Sequence, residues 1–162
     1  MKVFRVVDVQ RRQKGENISL NAGYEQFERA DADHQDKAGQ TDHQAEATHD
    51  YIQWLFPLDE PSRSGNGAPV LTELDIDEIK ESSLAQDNLA KSASWFLGFL
   101  ERNDQWITKY NHNHLRITRV IKSLRLLASD KAADEFKDKV FGYLGDDLNL
   151  IDPKARSFWN SA

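Results

Sequence analysis

The chain has 162 residues, 39% of them apolar and 30% charged, with a net charge of −6. That length is enough to bury one domain's core, and four Trp, eight Phe and four Tyr exclude a wholly disordered chain. The absence of cysteine excludes disulfide and thiolate chemistry and suits a reducing cytosol.

No apolar run approaches the roughly 20 residues needed to span a bilayer. The opening "MKVFRVVDVQRR" returns to charge too soon for a signal peptide, so a cytoplasmic location is expected. Phe4 to Val9 has the β-branched content of a short strand. Residues 1–22 otherwise form a poorly defined N-terminal segment, and residues 23–162 are expected to make one helical domain. Tyr24 and Phe27 stand one helical turn apart, whereas Asp33 to Gln44 reads as a polar loop.

The character changes at "HDYIQWLFPLDEPS". Its aromatics predict a short buried helix, and Pro57 and Pro61 force an extended piece after it. Gly65 and Gly67 mark an exposed turn. Thr72 is placed to cap a helix with acids in its first turn. Leu89, Ala93, Phe96, Leu97 and Leu100 repeat at the spacing of one helix face, and Ile117, Val120, Ile121, Leu124 and Leu127 do the same. Asp130 is expected to cap a helix closed by Gly145, and Asp152 with Pro153 to start a last short one. The fold class is therefore all-α: a compact single-domain bundle of about five to seven helices with a Pro-rich extended segment.

Charge is unevenly spread. Tyr24 to Asp50 holds eight acids and two bases, whereas Gln105 to Ser129 holds five bases and no acid. In "NHNHLRITRVIKSLRLL", Arg116, Arg119, Lys122 and Arg125 fall opposite the aliphatic stripe. The simplest reading of that side is a solvated face. The functional reading is a docking surface for an acidic group, peptide or phosphate, because guanidinium forks hold carboxylates bidentately. Four bases on an acidic domain disfavour nucleic acid.

His112 and His114 could chelate a metal only from an extended backbone, and a helix capped by Asn111 or Asn113 is the simpler reading. The Asp- and His-rich stretch Asp31 to Asp50 lacks the spacing of a calcium loop. Within it, His49 and Asp50 adjoin the aromatic cluster. No phosphate loop, nucleophile elbow or zinc-protease motif is present. No cofactor and no catalytic residue are expected, and enzyme activity has no support in the motifs.

"HDYIQWLFPLDEPS" (His49 to Ser62), "APVLT" (Ala68 to Thr72) and "NHNHLRITRVIKSLRLL" (Asn111 to Leu127) together resemble the conserved region of the opioid growth factor receptor family, over about Gly23 to Trp159. Lys37 to Thr48 looks shorter and more polar than the family's helix there. The chain resembles compact microbial members without the vertebrate C-terminal repeats. The resemblance implies a mainly helical region. The vertebrate members are described as receptors for a small enkephalin peptide, unrelated to seven-helix opioid receptors.

These readings favour a peptide- or protein-binding module with His49, Asp50, Tyr51, Trp54, His112, His114, Arg116 and Arg119 as ligand-binding candidates. The alternatives are an enzyme using the His/Asp cluster, with or without a metal, and nucleic-acid binding by the basic helix.

Overall fold

In the computed structural model, which describes residues 51–62 and 70–162, the first helix, α1 (Tyr51–Leu55), stops after five residues. Pro57 has no amide hydrogen and disfavours helical backbone in the residue before it. The chain then runs extended, and Leu58 pairs with Val70 in an isolated parallel bridge, fastened by Leu71 N–H donating to the Leu58 carbonyl at 2.9 Å. The readings of Phe4–Val9, of the helix near Tyr24 and of the loop at 33–44 lie outside the described residues.

Thr72 starts α2 (Glu73–Glu81) through a capping box. The Asp75 amide donates to the Thr72 hydroxyl at 3.3 Å, and the Thr72 amide donates back to the Asp75 carboxylate at 2.8 Å. Ser82 ends this helix and also caps α3 (Ser83–Arg102), accepting from the Ala85 amide at 3.2 Å. One residue thus serves two helix ends, so α2 and α3 meet at a corner without a connecting loop. A 3₁₀ turn (Asp104–Trp106) leads to α4 (His112–Leu127), then α5 (Asp130–Leu144), a second 3₁₀ stretch (Gly145–Leu150) and α6 (Pro153–Ser161). Among the described residues this makes six α-helices, within the expected range.

Several caps fall where local chemistry puts them. Asn111 accepts from the Asn113 amide at 2.8 Å, and Asp152 accepts from the Lys154 amide at 2.8 Å with Pro153 inside the first turn. The cap of α5 is Ser129, accepting from Ala132 at 3.1 Å, so Asp130 is the first helical residue and not the cap. Gly145 ends α5 at φ +47°, a conformation that glycine adopts at little steric cost.

The predicted stripes do form the core. Leu89, Phe96 and Leu100 of α3 pack with Ile117, Val120, Ile121 and Leu127 of α4 and with Phe136 and Val140 of α5. At its centre the Phe96 ring stacks on Phe136 at 6.4 Å and on Phe99 at 5.9 Å, while Phe56 leans against it at 6.5 Å. Gln86 closes the α2–α3–α4 junction, its amide donating to Ile79 O at 2.9 Å and Leu127 O at 2.8 Å. Both carbonyls lie in the last turns of helices, where acceptors lack intrahelical partners.

Candidate functional site

The abrupt end of α1 leaves the carbonyls of Phe56 and Pro57 without a following helical amide, and both groups sit in a buried segment. The polar side of α4 supplies their donors. Arg119 Nε donates to Phe56 O at 2.8 Å, Ser123 Oγ donates to Pro57 O at 3.0 Å, and Lys122 Nζ meets Glu60 at 2.7 Å. Positions 119, 122 and 123 share one face of a helix. The aromatic segment and the basic helix, some 60 residues apart in sequence, are therefore two sides of one seam.

This corrects the reading of the basic stripe as a solvated face. Arg116 is buried, at 8% exposure, and its Nη1 donates to the Asn113 side chain at 2.9 Å. Arg119 is half-buried. Arg125 stitches three elements together, donating from Nε to Ala162 O at 2.8 Å and pairing with Asp130 at 2.8 Å and Asp134 at 2.9 Å. Those two carboxylates raise the Arg125 pKa, and hydrogen bonds from Arg125 and Lys137 lower that of Asp134. Lys122 remains exposed but is held by Glu60. The basic side is spent on internal partners and offers no continuous cationic stripe. Sequence patterning could not reveal the role of Arg119, because its acceptor is a backbone carbonyl on a distant segment.

Desolvation lowers the Arg119 pKa, partly opposed by the charge of Glu60. While Nε holds Phe56 O, Nη2 is enclosed by protein and meets no acceptor among the described residues. An enclosed guanidinium donor without an acceptor costs free energy until something fills the position.

The histidine pair divides at the start of α4. His112 is exposed, and His114 is buried at 4% exposure. Helical backbone sends residues two apart to different faces, so the chelating geometry considered for an extended chain does not form. The His114 Nε2 lies 2.9 Å from Trp106 O, and its ring meets Trp159 edge-on at 5.7 Å. A carbonyl partner requires Nε2 to carry the hydrogen. Burial lowers the pKa of His114, with the Trp106 carbonyl and Asp152 acting in the opposite direction. It is a neutral, committed core group. No cluster of three metal-ligating side chains occurs among the described residues.

Of the remaining candidates, His49 and Asp50 lie outside the described residues, and Tyr51 opens α1. Trp54 is half-buried near the start of the seam. The structure joins Arg119 to the aromatic segment, whereas His114 belongs to a separate tryptophan cluster one helical turn or more away. Ser123 and Trp106 went unmarked in the sequence. Ser123 carries no local signal at all, and the Asn103 cap before the 3₁₀ turn is the only cue to Trp106.

In comparison with known proteins, residues 26–105 match the opioid growth factor receptor conserved region. The match ends before α4, so the stretch 111–127 lies beyond it. Opioid growth factor receptors from Mus musculus and Homo sapiens are each 34% identical over 97 residues, covering 49% of this chain and 15% and 14% of theirs. An opioid growth factor receptor-like protein 1 from Xenopus tropicalis is 34% identical over 96 residues, covering 49% of this chain and 19% of its own. The chain thus spans less than a fifth of the length of these relatives. No solved structure gives a significant match. No helix among the described residues is long and apolar enough to cross a membrane.

Proposed function

We propose that this chain, whose residues 26–105 match the opioid growth factor receptor conserved region, belongs to that family and works as a peptide- or protein-binding module. The observation that carries this reading is the seam at Arg119. One guanidinium nitrogen holds Phe56 O, and a second, enclosed one has no acceptor among the described residues. A backbone carbonyl or a carboxylate from a partner segment would complete it, in the paired geometry that guanidinium groups favour. Half-buried Trp54, two residues before Phe56, supplies aromatic surface beside the seam. The relatives bear the name of receptors, which supports a ligand partner for this chain as well. The cysteine-free sequence supports a cytoplasmic setting.

The test is selection of binders from a displayed library of random peptides, repeated with Arg119→Ala and Ser123→Ala. The second variant loosens the same seam without touching the guanidinium. Peptides selected on the parent chain are expected to lose Arg119→Ala and to keep Ser123→Ala. Equal retention by both variants, or equal loss, would assign Arg119 to architecture and remove this site.

A further inference from the structure

Away from the seam, α5, the second 3₁₀ stretch and α6 enclose an open groove of about 420 Å³. Phe141, Leu148 and Pro153 give it apolar walls, and Arg156, Ser157 and Asn160 give it polar ones. Positions 153, 156, 157 and 160 recur at the spacing of one helix face, so a single side of α6 lines it. All six residues lie beyond the match to the family's conserved region, which ends at position 105.

Arg156 makes this more than a surface depression. Its side chain is half-buried, and no carboxylate among the described residues pairs with it. Its Nε is enclosed and meets no acceptor among the described residues. The acid one turn earlier, Asp152, is already committed, its carboxylate accepting from the Lys154 amide at 2.8 Å. A half-buried cation beside apolar walls, with no carboxylate partner among the described residues, calls for an anion that carries an apolar body. A planar guanidinium holds a carboxylate through two parallel hydrogen bonds. The groove's volume falls within the range of small-molecule sites, roughly 300–1,000 Å³, and mostly apolar walls with a few convergent polar groups are their usual form.

We propose that this groove binds a small amphipathic monocarboxylate, with its carboxylate on the Arg156 guanidinium and its tail against Phe141, Leu148 and Pro153. Ser157 and Asn160 stand on the same wall to hydrogen-bond the second carboxylate oxygen. The site is independent of the Arg119 seam and would survive the failure of the peptide reading.

The test is titration of the full chain with octanoate, followed by amide chemical shifts. Octanol supplies the same tail without charge, and acetate the charge without the tail. Octanoate is expected to shift amides of α5, the 3₁₀ stretch and α6, and to bind more tightly than either control. Losing a charge-assisted hydrogen bond weakens binding by about tenfold or more, so Arg156→Gln is expected to lose at least that much. Ser157→Leu, which fills the groove from a solvent-facing position, tests the same site should Arg156→Gln fold poorly, and is expected to abolish the shifts. Equal binding of octanol, shifts confined to other elements, no binding at millimolar octanoate, or full binding by either variant would overturn the proposal.

Discussion

The indole of Trp159 donates to the carbonyl of His114 at 3.0 Å while its ring meets the edge of the same residue's imidazole at 5.7 Å. One side chain near the end of the chain therefore fixes both the backbone and the side chain at the start of α4. The His114 carbonyl also accepts from the Thr118 hydroxyl at 3.0 Å, so it keeps a partner if the indole is lost. Trp159→Phe is expected to cost about 1 kcal/mol, one ordinary hydrogen bond. Trp159→Ala is expected to cost about 3–5 kcal/mol, because a fully buried ring leaves a cavity. Urea unfolding of the two variants measures the difference.

His114 makes stability depend on pH in a defined direction. Burial depresses its folded-state pKa below the ordinary value of 6.5. The unfolded chain therefore binds the proton more readily than the native one as pH falls. The stability that His114 contributes is complete above pH 6.5 and declines below it, toward the folded-state pKa. His114→Gln keeps a donor for Trp106 O and removes the titration. Urea midpoints taken from neutral to mildly acidic pH are expected to fall less steeply in that variant than in the parent chain.

The seam offers a contrast between a buried neutral bond and an exposed ion pair. Ser123 is fully buried, and its hydroxyl serves the Pro57 carbonyl, whereas Lys122 and Glu60 are about half exposed. Ser123→Ala is expected to cost about 1–2 kcal/mol through the stranded acceptor. Lys122→Ala is expected to cost less than about 1 kcal/mol, as exposed pairs do. Thermal unfolding of both variants orders them, and the ion pair alone should weaken further in high salt.

Gln86 is expected to be worth more than its polar, half-exposed position implies. Gln86→Leu removes donors from Ile79 O and Leu127 O together. A loss of about 1–2 kcal/mol is expected, near the low end for unsatisfied acceptors because water reaches part of the junction. Amide hydrogen exchange in the last turns of α2 and α4 should rise with it.

How legible these features were depends on how far apart their partners stand. The cap at Thr72 and the Asp152–Pro153 start are contacts within three residues, and the local sequence predicts both. The aliphatic face of α4 follows from periodicity alone. Local chemistry points to Asp130 as the cap of α5, one residue late, since Ser129 and Asp130 are both good caps and only geometry separates them. The direction of Arg119 was out of reach, because its partner is a backbone carbonyl 63 positions earlier that becomes available only where Pro57 stops a helix. The α5–α6 groove is harder still. Its walls come from two helices and the turn between them, so no stretch of sequence contains it.

The parallel bridge between Leu58 and Val70 acts as a clasp on the chain that leaves the seam. By fastening the chain on both sides of residues 59–69, it separates their length from the register of the seam. The Leu58–Val70 pairing, and not the number of residues between its halves, therefore holds the end of α1 in register with the start of α2.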